Sequence, residues 1–128
     1  MNRAEFIEKL SELIKYSLMY SKFAVEAKDF SKSKEMEQNA IDSTDKDFTH
    51  GIYFIIDGMP PSAIDEIYTN KIAFEKDPGM RQYKTVLKRA LLGIQAREKP
   101  NFLYHVLVSY VDLSEDERKK LDQQFIRD

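Results

Sequence analysis

Apolar residues recur along the first part of the chain at the spacing of a helix. One stripe follows the i, i+3, i+4, i+7 pattern and consists of Phe6, Leu10, Leu13, Ile14 and Ser17, widened by Ile7, Leu18 and Val25. This spacing places its members on one face of an α-helix. Asn2 and Glu5 stand three residues apart, as in a capping box. The pattern predicts one long helix that ends near Lys28.

The composition then turns polar over residues 29–47, with acidic residues outnumbering lysines. We expect a connecting segment here, with a short helix near residues 34–41. A second helix, capped by Thr44 or Ser43, follows and carries Phe48, Ile52, Tyr53, Ile55 and Ile56. Gly58 stands where a helix commonly ends in a left-handed residue. The run 51–57 has the local propensity of a strand, but helix is favoured because no second convincing strand is available to pair with it.

Prolines and capping residues mark the remaining helices. Pro60-Pro61-Ser62 opens a third, Asp77-Pro78 a fourth that reaches about Arg97, Lys99-Pro100 a fifth, and the Ser114 to Glu117 capping box a last short one. Their apolar stripes are Ile64, Ile67, Tyr68, Ile72 and Phe74; Met80, Tyr83, Leu87, Ala90, Leu91 and Ile94; Phe102, Leu103, Val106, Leu107 and Tyr110; and Leu121 and Phe125. Short helices depend on packing for stability, so we predict an all-α bundle of five to six helices in a single domain, residues 1–128.

Composition narrows the function classes. The 128 residues contain no cysteine, which excludes disulfides, thiolate zinc sites and thiol nucleophiles. A net charge of −2 gives no general attraction for nucleic acid. No stretch approaches the ~18 to 20 apolar residues that span a bilayer, and the N-terminus lacks the apolar centre of a secretory signal. We therefore expect a cytoplasmic protein.

Patterns typical of enzymes are weak. His50 and His105 lie on different predicted helices without ligand-like neighbours, whereas a zinc site needs three or four clustered donors. The run 58–62 precedes a helix and could hold an anion on backbone amides, but its prolines remove donors, which favours a tight turn. No G-x-S-x-G elbow is present. We predict a non-catalytic protein that needs no cofactor or metal.

A row of bases lies on the fourth predicted helix. Arg81, Lys84 and Lys88 share one face by their i, i+3, i+7 spacing. The row could bind an acidic partner, pair with the acidic segment 29–47 of the same chain, or form an ordinary solvated face. These three interpretations stay open on sequence alone.

Three stretches, residues 21–26, 51–67 and 91–111, together resemble the cytoplasmic part of MotA-type flagellar stator proteins. Ser21-Lys-Phe-Ala-Val-Glu26 is similar to the family's "GLLALE", and the run Gly51 to Ile67 is similar to its "VDG", proline turn and "E-I" helix. Leu91-Leu-Gly-Ile-Gln-Ala96, Lys99-Pro100 and the following helix resemble "GLLAIQ-x-x-x-NP". The stretches keep the family's order and cover most of the chain. The family's membrane helices are missing. In the family, the third and fourth membrane helices separate the second and third stretches, whereas here residues 71–83 join these two stretches directly.

The resemblance implies a fold like that of the stator's cytoplasmic region and contact with the rotor's switch protein, FliG, or with other stator components. Family members use a base and a glutamate eight positions later for this contact. Glu26 matches the glutamate, while Leu18 stands where the base should be. We therefore expect a non-catalytic interaction module, unable to conduct ions, with Glu26, Arg81, Lys84 and Lys88 as candidate partner-binding residues. A helical scaffold or regulatory adaptor with no role in motility is the alternative, and the oligomeric state stays open.

Overall fold

The computed structural model describes residues 1–30 and 45–126, which form helices and short joints without any strand. The helices within these ranges are α1 (Arg3–Glu26), α2 (Lys46–Ile56), α3 (Pro61–Phe74), α4 (Pro78–Gln95), α5 (Pro100–Ser109) and α6 (Glu115–Phe125). The predicted all-α bundle of five to six helices is confirmed. The short helix expected near residues 34–41 falls outside the described residues.

Helix α4 lies at the centre, and α1 runs parallel to it. The N-terminal amine lies 3.3 Å from Asp77 Oδ1 at the start of α4, while Arg97, just past its end, donates from Nε to the carbonyl of Ala24 at 3.1 Å. Helix α3 runs antiparallel to α4 along its other side. Together α1 and α3 form the largest helix contacts of α4.

The remaining helices complete the bundle around this pair. Helix α2 is parallel to α4, because Tyr83 near the start of α4 bonds Asp45, while Gln95 at its end donates to the carbonyl of Met59 at 2.6 Å. Helix α5 returns antiparallel to α4, and the Gln82 amide donates to the Tyr110 carbonyl at 3.2 Å. Helix α6 lies along the first half of α1.

Local sequence signals set most helix ends. Asn2, Asp77 and Ser114 cap α1, α4 and α6 as predicted, and Ser114 forms a complete capping box with Glu117. The cap of α2 is Asp45, not Thr44 or Ser43. Its carboxylate accepts hydrogen bonds from the backbone amides of both Asp47 and Phe48. A charged carboxylate forms stronger hydrogen bonds here than the neutral hydroxyl of a serine or threonine would.

The predicted turn after α2 is a Schellman motif. Gly58 adopts a φ of 83°, and the Met59 amide donates to the Phe54 carbonyl at 2.9 Å. The Gly58 amide donates to the Ile55 carbonyl at 3.1 Å. A glycine reaches this left-handed conformation without the steric cost that a Cβ adds. The motif turns the chain from α2 directly into α3, whose first residue is a proline.

The core follows the predicted stripes, with five exceptions. Phe6, Leu10, Leu13, Ile14 and Ser17 of α1 are all buried, as are most stripe members of α4. Five residues of the predicted apolar sets are instead exposed: Val25, Tyr53, Phe74, Phe102 and Tyr110. Val25 points away from the face that carries Ala24, and Phe74 lies in the last turn of α3, off the face that buries Ile64 and Tyr68. Those predicted stripes were drawn wider than the contact they make.

Helices α2 and α4 approach each other closely at Gly51. A Cβ at this position would lie 2.2 Å from Leu91 Cδ1 and 2.8 Å from the Tyr68 hydroxyl. The Tyr68 hydroxyl is itself fixed, because it donates to the Asp47 carbonyl at 2.6 Å. Only glycine leaves room for these two side chains.

We predict that Gly51→Ala destabilises the protein by about 1–3 kcal/mol, because a methyl group forces Leu91 and Tyr68 out of their packing. Urea denaturation followed by circular dichroism measures the change. Gly79→Ala in the first turn of α4 is the matched control, and we expect it to shift stability by less than about 1 kcal/mol. Equal effects of the two substitutions would contradict the close contact.

An ion pair joins α1 to α6, and its contribution to stability depends on pH. Arg3 donates to both carboxylate oxygens of Glu117, at 2.9 Å from Nε and 2.8 Å from Nη2. These hydrogen bonds, assisted by the Ser114 amide, lower the pKa of Glu117 from 4.5 to about 2. The native state therefore favours the ionised form more than the unfolded chain does.

The stabilisation from Glu117 is present above the unfolded pKa, and it is lost as the pH falls from about 4.5 through about 2. We predict that Glu117→Gln lowers the unfolding midpoint at pH 6 and flattens its decline across this window. Urea midpoints of both proteins between pH 2 and pH 6 make the comparison. Parallel pH profiles of wild type and variant would show that Glu117 does not contribute.

Candidate interaction surface

The three predicted bases lie between residues 81 and 88 of α4, on its outward side and towards α3. Lys84 Nζ lies 2.9 Å from Glu75 Oε1, and Lys88 Nζ lies 2.9 Å from Asp65 Oδ1. Lys88 also contacts the Thr69 hydroxyl at 3.2 Å. Arg81 is exposed and makes no ion pair within residues 1–30 and 45–126. Among the described residues, the row therefore consists of Arg81 without an ion-pair partner and two lysines that have one.

The lysine partners differ from the acidic segment 29–47 that the sequence offered. Glu75 follows α3 and Asp65 lies within it, so both pairs join the antiparallel α3–α4 neighbours. Hydrogen bonding to Lys84 is the main cause that lowers the pKa of Glu75. Within the described part of segment 29–47, Asp47 pairs with Lys71, at 3.3 Å.

Glu26, the remaining candidate, lies at the other end of the bundle. It is exposed at the last residue of α1, between the Ala24 and Ala27 carbonyls that bind Arg97. The 16 positions that separate Arg81 from Arg97, at about 1.5 Å of rise each, put Glu26 roughly 24 Å from Arg81 along the bundle, and about 14 Å from Lys88 by the same rise. The four predicted residues therefore do not form one compact site.

Leu18, where the family has a base, packs partly buried against the core. A lysine or arginine there would have to carry its charge out of an apolar contact. Lys22, one turn later, is exposed. The local packing of α1 accounts for leucine at this position.

Arg97 joins the ends of α1 and α4. It is the C′ residue of α4 in a left-handed conformation, φ 57°, and its backbone amide donates to the Ile94 carbonyl. Its guanidinium donates to the carbonyls of Ala24 and Ala27 and stands 4.1 Å from the ring centroid of Phe30. A positive charge on these unsatisfied carbonyls stabilises the end of α1. Sequence reasoning missed this role because glycine is the usual residue at such a position.

We predict that Arg97→Ala destabilises the protein by about 1–3 kcal/mol through loss of these charged hydrogen bonds. Arg97→Gly loses the same bonds, but glycine adopts positive φ freely, so its cost should be about 1 kcal/mol smaller. Chemical denaturation of the two variants gives the difference. If alanine and glycine cost the same, the left-handed conformation does not strain the chain.

The exposed aromatic residues were the other feature that sequence reasoning missed. Phe74 is 84% exposed, Phe102 is 55% exposed and Tyr110 is 41% exposed. Phe102 lies on α5 and Tyr110 is its C-cap residue, while the opposite face of this helix buries Leu103, Tyr104, Leu107 and Val108. The signal was present in the sequence, because α5 carries more apolar residues than a single face can bury.

A small polar cluster lies between α1, α2 and α4. A cavity of about 60 Å³ is lined by Lys9, Glu12, Leu13, Tyr16, Asp45, Phe48 and Tyr83. Tyr83 donates to the Asp45 carboxylate, and burial followed by this hydrogen bond raises the pKa of Tyr83. The cavity has room for a few waters at most. We interpret the cluster as a structural joint that ties the start of α2 to α4.

The histidines form no joint site. His50 is exposed on α2, and His105 on α5 lies with Nδ1 3.3 Å from Arg118 Nη2. Among the residues that the structure describes, no three His, Asp or Glu side chains are grouped so as to hold a metal ion. The same described residues include no helix with the length and apolar character needed to cross a membrane.

No family model matches the chain, and neither the curated proteins nor the solved structures include a match.

Proposed function

We propose that this chain is a non-catalytic, helical protein-interaction module that binds an acidic partner through the outer face of α4. The observation that carries the proposal is the state of Arg81. Its side chain is exposed near the start of a long, well-packed helix and has no carboxylate partner in the described part of the chain. Lys84 and Lys88 stand beside it with their positions fixed by ion pairs.

A role at the flagellar motor is the more specific form of this proposal. The three stretches that resemble MotA-type stator proteins support it. So does the joint of residues 75–77, where α3 and α4 meet as antiparallel neighbours through three residues. Such a joint is what a stator's cytoplasmic helices require when no membrane segment separates them. The rotor's switch protein is then the first partner to test.

A helical adaptor without a role in motility remains the second candidate. Glu26 lies roughly 24 Å from Arg81 by the helical rise, and Leu18 is held against the core. The paired charges with which the stator family contacts the rotor are therefore not reproduced as a unit. Fold alone does not decide between the two candidates.

The test is a pull-down of purified FliG by the immobilised full chain across a salt titration. We expect retention at low ionic strength that declines as salt screens the contact. Arg81→Glu should weaken binding by about two- to fivefold, the range for a rim charge. The motor role predicts a similar loss for Glu26→Lys, because Glu26 occupies the acidic position of the stator motif and would meet a base of FliG outside the α4 face. Lys119→Glu, an exposed base on α6, is the matched control and should leave retention unchanged.

Absence of FliG retention at low salt would rule out the motor role and leave the adaptor function. Equal weakening by Arg81→Glu and Lys119→Glu would instead mean that binding follows net charge and not the α4 face. A gene neighbourhood without motility genes would also favour the adaptor.

A further inference from the structure

Helix α5 has a second apolar face that the described chain leaves uncovered. Phe102, Val106 and Tyr110 follow one another at i, i+4, i+8, and we name these three residues the α5 stripe. Phe102 and Tyr110 are exposed and Val106 is half-buried. Four positions of the ten-residue helix already face the core on the opposite side. A helix that is apolar on two sides is typical of one that is covered on both.

The stripe borders α4, which places bases along it. Gln82 on α4 donates to the Tyr110 carbonyl at 3.2 Å, so the end of the stripe lies beside the start of α4, where Arg81 is exposed. Hydrogen bonds to Glu98, and to a lesser degree Tyr110, raise the pKa of Arg89, which places this guanidinium next to Tyr110. Lys99 lies exposed one turn before Phe102, at the other end.

Within the part of the chain that the structure describes, these bases give the surface a net positive charge. Arg89 is neutralised by Glu98 through two hydrogen bonds, at 2.9 and 2.8 Å. Arg81 and Lys99 have no carboxylate partner among residues 1–30 and 45–126. An apolar row between two unpaired cations fits a ligand that is apolar in its centre and acidic at its edges.

We propose that the α5 stripe and the adjoining face of α4 bind an acidic amphipathic helix of a partner protein. The inference rests on the proposed interaction function and specifies the chemistry of its partner. The stripe spans nine residues, and its eight steps of about 1.5 Å give about 12 Å of helical rise, which matches the i, i+4, i+7 anchors of a docked helix. Aromatic residues such as Phe102 and Tyr110 are the side chains that most often dominate such contacts.

The acidic character of the partner follows from the two unpaired cations. Glutamates that flank the apolar row of the partner would reach Arg81 at one end and Lys99 at the other. A basic helix would meet these cations with like charge, which disfavours it. The order of the groups therefore selects the partner by charge and retains it by apolar contact.

The experiment uses the full chain and an 18-residue amphipathic peptide with leucines at i, i+4 and i+7 and flanking glutamates. Binding is measured by fluorescence anisotropy at low and at physiological salt. Phe102→Ser should weaken binding by about tenfold or more, as loss of an aromatic anchor does. Phe74→Ser is the matched control, because Phe74 is even more exposed but lies on α3, and it should leave the affinity unchanged.

Charge is tested separately. Arg81→Glu should lower the affinity for the acidic peptide by about two- to fivefold at low salt. A peptide with lysine in place of every glutamate should bind the unchanged protein far more weakly. Circular dichroism of each variant confirms that the fold is kept. No binding of the acidic peptide at millimolar concentration, or equal effects of Phe102→Ser and Phe74→Ser, would overturn the inference.

Two other occupants give different outcomes. Binding of anionic phosphatidylserine vesicles that depends on Phe102, without peptide binding, would assign the surface to lipid and overturn the inference. A concentration-dependent dimer in sedimentation that Phe102→Ser dissociates would assign it to a second copy. Peptide binding without FliG retention would support the helix-binding surface and reject only the motor role. FliG retention that is insensitive to Phe102→Ser would support the motor role and reject the helix-binding surface.

Discussion

The burial of α4 is the constraint on which the rest of the fold depends. Its positions Tyr83 to Ile94 present buried side chains to α1, α2, α3 and α5, so each of those helices covers part of one rod. A helix that is surrounded in this way can tolerate few changes in volume, because interiors are packed at the density of organic crystals. Glycines at Gly51 and Gly93 mark the two places where a neighbour comes closest.

Polar contacts then decide where each helix begins and ends around this rod. The Asp45 carboxylate accepts hydrogen bonds from the Tyr83 hydroxyl and from two backbone amides. The Asp77 carboxylate accepts hydrogen bonds from the N-terminal amine and from the Met80 amide. At the far end, Arg97 binds the last carbonyls of α1. Apolar packing fixes which faces meet, but it is non-directional and lets helices slide. The caps remove this freedom, so the ends of α1, α2 and α4 align at both ends of the bundle.

Much of this architecture could be predicted from the sequence, and the failures have physical causes. Proline and capping residues located the helix starts because they act within one turn. The turn at Gly58 could be predicted because a glycine after an apolar run commonly adopts the left-handed conformation that ends a helix. Arg97 adopts the same left-handed conformation, but an arginine gives no such signal in the sequence. Its side chain is needed at α1, seventy residues away in sequence, and local patterns carry no information on such a contact.

The candidate site was predictable only in part, for a related reason. Helical spacing correctly grouped Arg81, Lys84 and Lys88, but it could not reveal that Glu75 and Asp65 neutralise two of them. Distance along the bundle separates Glu26 from all three. Apolar periodicity assigned Phe102 and Tyr110 to the core because it detects a face without knowing whether anything covers it. Exposure is a property of the assembled bundle.

The two kinds of surface residue work together only if their roles differ. Lys84 and Lys88 already form ion pairs that hold α3 on α4. Exchanging those pairs for pairs with a partner would add little binding free energy, since exposed ion pairs contribute at most about 1 kcal/mol. Arg81 and Lys99 have no such commitment, yet two screened charges cannot hold a partner alone. Apolar contact at Phe102 and Tyr110 supplies what charge lacks, while the cations decide which apolar helix is accepted. The α5 stripe therefore needs its flanking bases for selectivity, and the bases need the stripe for affinity.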